Sequence, residues 1–430
     1  MNMRRSKSQK VCPVVSAKLR SQSKEQIPVI IRFKKTNSEK ISSQVISMSN
    51  KVKHQLPLVD GVACEMSLEA INKLSEDPDI EYISFDSKVF ALLDIANESI
   101  SSSFPHQEGY TGEGITVAVI DTGVAPHNDL TRPTNRIVGF KDFVNDRSKP
   151  YDDNGHGTHV AGIIASSGYS SNGKYTGVAP KANILGIKAL DESGSGSTSD
   201  IISAIQWVID TKDVYNTKVL NLSLGSPANE PYYSDPLAKA AEAANDAGIT
   251  VVVAAGNSGP SKNTILSPGI SPSVITVGAI DDNKTPEISD DTIADFSSRG
   301  PTNDGLKKPD LVAPGVDIMS LSNNKLDGYT SLSGTSMATP LVAGTAALMY
   351  QKNSNLTPKA IKSSLKNSCT SIEENYDEQG SGVLNLKKLF ESPIKETPIN
   401  EEEKTVSKGL FGDGFIVVVL IVILLLSRYF

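Results

Sequence analysis

Three short segments of this chain carry side chains that can do chemistry together. They are Asp121-Thr122-Gly123, His156-Gly157-Thr158-His159 and Gly334-Thr335-Ser336-Met337-Ala338. An Asp, a His and a Ser, each beside Gly and each placed where an apolar run meets a turn, are the parts of a nucleophilic hydrolase. The hydroxyl attacks, the imidazole takes its proton, and the carboxylate orients the imidazole. The order Asp, His, Ser is one of three unrelated chain orders in which such a triad is built. A fourth segment, Ala255-Gly256-Asn257-Ser258-Gly259-Pro260, puts an Asn directly after an apolar run. Such an Asn is a turn former or an oxyanion donor, and acyl transfer needs a donor about 2.7–3.1 Å from the forming oxyanion.

Each residue has competing chemistry to weigh. Asp121 closes the apolar run Ile115–Ile120, where a carboxylate is costly unless paired. Asp-Thr-Gly also marks aspartic proteases, but they need two carboxylates sharing one proton, and the chain has no second such triplet. His156 and His159 lie three residues apart, whereas the zinc-protease pattern needs a spacing of four with an intervening Glu. His156, flanked by Gly155 and Gly157, is therefore read as the base and His159 as a packed, hydrogen-bonded histidine. His54, His106 and His127 have no motif support. Ser336 opens the apolar stretch Met337–Met349. A Ser there is most often a helix cap, but the preceding Gly suits a tight turn, and a helix N-terminus favours developing negative charge.

The elements that must position these groups alternate along the chain. Apolar β-runs at Ile115–Ile120, Ile184–Ala189, Lys218–Leu222, Ile249–Ala254 and Val274–Ala279 interleave with helical stretches at Gly157–Ser166, Ser199–Thr211, Asp235–Ala247 and Ser336–Gln351. Strands apolar on both faces, separated by helices, predict a parallel sheet covered on both sides. Functional groups then gather at the carboxyl ends of strands, where Asp121 and Asn257 fall. This α/β region spans 109–391. Before it, 27–95 reads as a small α+β unit: a strand at Ile27–Phe33, a helix at Ser38–Lys53, a strand at Leu58–Met66, a helix at Leu68–Glu76 capped by Ser67, and another strand at Ile80–Phe85, ending near Lys88–Leu93. Residues 1–26 form a basic segment and 392–409 an acidic, Pro-containing linker.

A length of 430 residues suggests two or three domains. The net charge of −7 argues against nucleic acid as the main partner. Seven Lys or Arg and no acid precede Glu25, a solvated tail or a contact for an anionic surface. Three well-separated cysteines, Cys12, Cys64 and Cys369, make no disulfide framework and permit a reducing compartment. No secretory apolar region follows the basic start. At the other end, Phe415–Leu426 has no polar side chain. Twelve helical residues cover about 18 Å, but 410–430 would span about 31 Å, enough for the hydrocarbon core. A single-pass membrane tail at 410–430 is expected. Lys395, Lys404 and Lys408 before it place the large domain on the cytoplasmic side; the alternative is a soluble cytoplasmic protein.

With these residues in place, the chain resembles the subtilases, the subtilisin-like serine proteases. Nine segments carry the resemblance: Val119–Gly123, His127–Leu130, Asn154–Gly162, Gly177–Pro180, Asn221–Gly225, Ala254–Asn257, Phe296–Pro301, Lys308–Gly315 and Ser333–Pro340. Tyr151-Asp152-Asp153 and Ala91–Asp94 are more similar to the signal-less, AprX-like subtilases of bacilli than to the secreted subtilisins.

The resemblance implies a three-layer subtilisin-like α/β fold with a mostly parallel central sheet, preceded by a ferredoxin-like α+β propeptide domain at 27–95. It implies a serine endopeptidase acting as a monomer on proteins or peptides, with Ser336 as nucleophile, His156 as general base and Asp121 as its orienting carboxylate. Asn257 and the Ser336 N–H would hold the oxyanion. Gly194, Ser195, Gly196, Ser223, Leu224 and Gly225 would line the peptide cleft, and Ala254, Ala255 and Gly256 would wall the specificity pocket with Ser223–Gly225. The propeptide would be the enzyme's own inhibitor, removed by cleavage between Lys88 and Glu98. No cofactor is required for the chemistry. Asp129 matches a structural calcium ligand of many secreted members, while the loop around Ser170–Tyr175 departs from theirs.

Overall fold

Strand order in the central sheet follows from the alternation of strands and crossover helices. In a computed structural model, which describes residues 10–20, 26–34, 38–86, 88–91, 101–285 and 287–392, an eight-stranded sheet is at the centre. Its order is Thr292–Ile293, Ile275–Asp281, Thr250–Ala254, Thr217–Leu222, Thr116–Asp121, Asn183–Lys188, Ile137–Asp142, with Leu311–Pro314 also paired to Ile275–Asp281. All pairings but that of Thr292–Ile293 are parallel. Thr116–Asp121 is buried along its whole length, as expected of a central strand with a helical layer on each face. One face packs under His156–Ala165 and Thr335–Lys352, the other under Thr198–Tyr215 and Pro236–Asp246, giving two apolar cores divided by the sheet.

Helix Thr335–Lys352 is buried from Thr335 to Tyr350. Pro340 lies inside the helix, past its first turn, and the Ser336 carbonyl that its missing N–H would serve accepts the Ser223 hydroxyl at 2.8 Å instead. Tyr350 ends the buried stretch by placing its hydroxyl 2.8 Å from Thr250 Oγ1.

The N-terminal unit is a four-stranded antiparallel sheet in the order Lys51–Leu56, Gly61–Ser67, Gln26–Phe33, Ile80–Phe85, with helices Ser38–Met48 and Leu68–Ser75. Ser67 caps the second helix by accepting the Ala70 N–H at 3.3 Å. One expectation fails here. The helix does not run to Lys53: it stops at Met48, and Lys51–Leu56 is an edge strand. That strand reads KVKHQL and exposes most of its residues, so it lacks the apolar alternation by which strands are recognised.

This unit docks on the large domain through its sheet. Asp86 accepts the Ser199 N–H (3.0 Å) and hydroxyl (2.8 Å) at the start of helix Thr198–Tyr215. The His54 Nε2 lies 2.8 Å from Asp200 Oδ1. Ser84 donates to Glu230 Oε2 at 3.3 Å, and Arg32 Nη1 donates to the Ser234 carbonyl at 3.4 Å. Its last described strand, Lys88–Ala91, enters a three-stranded antiparallel sheet as the middle member, between Leu224–Gly225 and Ser195–Ser197.

Among the described residues, no helix is long and apolar enough to cross a membrane. The expected tail at 410–430 and the linker lie outside the described residues. All three cysteines are buried and unpaired. Burial pushes the Cys64 and Cys369 thiols up to about 12, which suits packing and not nucleophilic chemistry.

Candidate active site

Asp121 is the last residue of strand Thr116–Asp121 and is wholly buried. Its Oδ1 accepts two hydrogen bonds of 2.7 Å, from the Thr122 N–H and from His156 Nδ1. With the Nδ1 proton committed to the carboxylate, a neutral imidazole keeps its lone pair on Nε2, the tautomer a general base requires. His156 opens helix His156–Ala165, and its own N–H donates to Asn154 Oδ1 at 3.1 Å.

Glycines permit this approach. A Cβ on Gly157 would sit 2.1 Å from the Gly123 carbonyl and 3.0 Å from Asp121 Cβ. Gly123 has φ +121°, and a Cβ there would meet the Tyr151 carbonyl at 2.1 Å. Only glycine lets the strand end and the helix start come this close.

A polar network that the motifs do not reveal holds the pair. Thr122 Oγ1 accepts the Gly157 N–H (2.9 Å) and donates to Asp152 Oδ1 (2.9 Å). Asp152 also accepts from the Asn154, Gly155 and Thr158 N–H groups and from the Thr158 hydroxyl. Lys188 is fully buried opposite Asp121 in the neighbouring strand. Its Nζ donates to the carbonyls of Thr122 (2.8 Å) and Leu190 (2.9 Å) and pairs with Asp153 Oδ1 at 2.5 Å. Nothing local in the sequence separates Lys188 from the other lysines except its place at a strand end.

Ser336 sits in the first turn of helix Thr335–Lys352, which packs beside His156–Ala165. Gly334, at φ +150°, turns the chain into that helix. The Ser336 hydroxyl donates to the Ser223 carbonyl at 3.2 Å, and Ser223 Oγ donates back to the Ser336 carbonyl at 2.8 Å. Asn257 follows strand Thr250–Ala254. Its Oδ1 accepts both the N–H (3.0 Å) and the hydroxyl (2.9 Å) of Thr335. The orientation of the amide follows: an N–H can only donate, so the atom facing Thr335 is the oxygen and the NH₂ end remains to donate.

The residues expected to line the cleft fall on two sides of strand Lys88–Ala91. Val89 is opposite Gly196, Phe90 opposite both Ser195 and Gly225, and Ala91 opposite Leu224. Gly194 has φ +75° and precedes the first edge; Ser223 precedes the second. Ala254, Ala255 and Gly256 are buried at a strand end, tied to the nucleophile's helix by the Gly256 N–H donating to Thr335 Oγ1 at 3.2 Å.

His159 is buried one turn beyond His156, with Nε2 3.0 Å from the Ile318 carbonyl. Burial, with His156 nearby, pushes its pKa down to about 3, so it is a neutral packing residue.

Asp129, the residue matched to a calcium ligand, is held by hydrogen bonds in this structure. Both carboxylate oxygens of buried Asp129 are already engaged by protein donors: Oδ1 by the Ser170 N–H (2.8 Å), Oδ2 by the Tyr329 hydroxyl (2.8 Å) with Ser166 Oγ at 3.0 Å. Calcium needs six to eight oxygen ligands with free lone pairs, and this donor set points hydrogens at the carboxylate instead. Among the described residues, no group of three or more His, Cys, Asp or Glu is arranged to hold a metal.

Residues 112–386 match the family model described as the Subtilase family. The chain is 43% identical over 392 residues to the serine protease AprX of Bacillus subtilis (strain 168), covering 85% of this chain and 88% of that one. It is 38% identical over 337 residues to the M-protease of Shouchella clausii (strain KSM-K16), covering 78% and 80%. It is 35% identical over 385 residues to subtilisin E of B. subtilis (strain 168), covering 87% and 93%. Among solved structures, fervidolysin from Fervidobacterium pennivorans, described as a keratinolytic enzyme related to subtilisin, superposes with a TM-score of 0.70 at 23% identity, over 90% of this chain and 63% of that one. The last likeness is one of fold.

Proposed function

Because the chain belongs to the subtilase family and is a serine endopeptidase of subtilisin-like fold, we propose that Ser336 is its nucleophile, His156 its general base and acid, Asp121 the orienting carboxylate and Asn257 an oxyanion donor. The observation that carries this reading is the 2.7 Å contact from His156 Nδ1 to Asp121, made at the end of the strand beside the helix that bears Ser336. Ser336 Oγ attacks the scissile carbonyl as His156 Nε2 takes its proton. The carbonyl electron pair moves onto oxygen, facing the Asn257 NH₂ and the Ser336 N–H at the helix N-terminus. The C–N bond then breaks, the amine leaves with the proton from His156, and water hydrolyses the acyl-enzyme by the same steps. Asp121 stays ionised and stabilises the imidazolium. Replacing Ser336 with Ala tests this: turnover on a peptide substrate must vanish, and residual turnover at the parent rate sinks the assignment.

Gly194–Gly196 and Ser223–Gly225 take substrate as an added β-strand, with Ala254–Gly256 walling the pocket before the cut. Main-chain pairing of this kind tolerates many sequences, so a broad endopeptidase is favoured over an enzyme with one substrate. A cleavage profile on a peptide library separates the two.

The N-terminal unit acts as an inhibitory propeptide. Support comes from strand Lys88–Ala91, which lies between the two cleft edges. The chain is then a zymogen that cuts itself. Ser336→Ala must abolish this maturation in isolated protein.

The apolar run at 410–430 serves as a membrane anchor with the large domain on the cytoplasmic side. This rests on the sequence pattern alone. Protease protection in sealed vesicles decides it: a large domain that partitions with the soluble fraction rejects the anchor.

A further inference from the structure

Asp129, in the short helix Asn128–Thr131, packs against the loop Ser166–Thr176, and its surroundings carry their own positive charge. The side chain of Arg136 is almost fully buried. Its Nη2 donates to the main-chain carbonyl of Asp129, and its Nη1 donates to the carbonyls of Ala165 and Ala182, the latter at 3.2 Å. Three carbonyl oxygens thus converge on one guanidinium. Converging carbonyl and carboxylate oxygens are what a hard divalent cation seeks. Here the planar five-donor fork satisfies the carbonyls.

The carboxylate beside them is satisfied separately. A carboxylate offers about four lone-pair positions. Ser170 N–H and the Tyr329 hydroxyl occupy one each at 2.8 Å. Ser166 Oγ shares its proton between Oδ2 at 3.0 Å and the Tyr175 carbonyl at 2.6 Å. His127 brings no charge: its Nδ1 accepts the Asp129 N–H at 3.1 Å, which leaves its proton on Nε2 for the Gly328 carbonyl at 3.0 Å. A calcium ion would have to reverse two hydroxyls and settle next to a buried guanidinium, whose repulsion in a low-dielectric site is large.

We infer that Arg136 is a built-in replacement for a bound cation, so that the loop from Ser166 to Thr176 holds its shape without calcium. The same donors that block the metal fasten the loop. Ser167 N–H donates to the Asp129 carbonyl at 2.9 Å, the Gly177 N–H closes the loop on the Ser166 carbonyl at 2.9 Å, and the Tyr175 and Tyr329 rings pack 4.6 Å apart. The ion's role passes to residues from four places in the chain: Arg136, Ser166, Ser170 and Tyr329.

The test uses the full chain carrying Ser336→Ala to suppress self-digestion. Thermal unfolding is compared in excess chelator and in saturating calcium, with Asp129 intact and with Asp129→Asn. Any calcium-induced rise in midpoint should be the same in both chains, and terbium should give no tyrosine-sensitised emission that depends on Asp129. A rise or an emission abolished by Asp129→Asn overturns the inference. Should Asp129→Asn fail to fold, limited proteolysis within the loop of the Asp129-intact chain decides. Cutting at the same rate with and without chelator is expected, and an increase of about tenfold on chelation overturns the inference. Arg136→Met should speed that cutting about tenfold in either condition; a loop as resistant as the parent's removes Arg136 from the role.

Discussion

Thr335 donates twice to Asn257, through its N–H and its hydroxyl, and so turns the amide NH₂ of Asn257 away from itself. As the proposed oxyanion donor, Asn257 depends on Thr335 for the orientation of its amide. Asn257→Ala should lower kcat about 10²–10³-fold with little change in KM. Thr335→Val keeps the N–H and loses the hydroxyl. It should lower kcat less than Asn257→Ala, by about tenfold, and Thr335→Ser should restore it. Steady-state kinetics on a peptide substrate measure all three. A Thr335→Val enzyme with the parent's kcat breaks the argument.

Asp121 orients His156 through a single short contact. Asp121→Asn preserves shape but presents an N–H or a neutral carbonyl to Nδ1, and frees the imidazole to take the wrong tautomer. The expected loss in kcat is about 10⁴-fold, partly recovered at high pH if the ring can still be deprotonated at Nε2. A pH–rate profile of the variant checks this.

In the antiparallel pairing, Ala91 is the end of strand Lys88–Ala91 nearer to Ser223. Phe90 is opposite Gly225 and Ala91 opposite Leu224, whose predecessor Ser223 accepts the Ser336 hydroxyl. The mature enzyme should therefore begin after Ala91, between Leu92 and Glu98. N-terminal sequencing and the intact mass of the released fragment report the cut. A mature terminus before Ala91 contradicts the register, and active enzyme with an intact N-terminus contradicts processing itself.

Once the N-terminal unit is cut as proposed, Glu230 should make its retention sensitive to pH. Burial, then repulsion from Asp235, raises its pKa from 4.5 to about 8 while Ser84 of that unit covers it. Asp235 is raised too, Cys12 stays a thiol, and Arg32 supplies the opposing charge. The sign follows from linkage. The complex holds a proton that the separated, solvated Glu230 releases. Association is favoured below about pH 4.5 and weakens as pH rises toward 8, by about tenfold per unit. Size-exclusion of processed enzyme across this range measures it. Glu230→Gln should flatten the dependence, and a complex that tightens as pH rises refutes the assignment.

Asp310 gathers three lysines at the C-terminal side of the large domain. Lys308, itself buried, donates to it at 2.7 Å; Lys362 and Lys366 approach to 2.9 and 3.5 Å. Asp310→Ala leaves a buried ammonium uncompensated and should cost about 3–5 kcal/mol of stability. Denaturant unfolding of the Ser336→Ala chain measures the loss. A change under about 1 kcal/mol means that Lys308 discards its proton at little cost, consistent with a pKa that burial brings down to about 7.

Much of this molecule is legible in its sequence. Asp121, His156, Asn257 and Ser336 stand out because each lies where an apolar run meets a glycine-flanked turn, a local pattern. The strands from Thr116 to Asp121 and from Thr250 to Ala254 announce themselves because both faces are buried. Thr335 and Lys188 do not, since their importance comes largely from partners tens of residues away, and Asp152, though most of its donors are neighbours, lies in no apolar run. Lys51–Leu56 is hidden for the opposite reason: an edge strand needs few apolar side chains. Ile137–Asp142, half-exposed at the other sheet's edge, escapes notice in the same way. At Asp129 the local motif points to a metal, and what argues against one is Arg136, seven residues on, with the distant Ser170 and Tyr329.

The strand Lys88–Ala91 bridges two short segments that have only two or three residues each in sheet register. Without a guest they are two parted selvedges waiting for thread. Whatever unfolds nearby can supply it, because backbone amides and carbonyls are common to every polypeptide. Folded neighbours keep those groups knotted into their own structure and slip past. Under the proposed strand-addition mode, discrimination would be a matter of looseness more than of spelling, with the enzyme reading whether a chain has come undone.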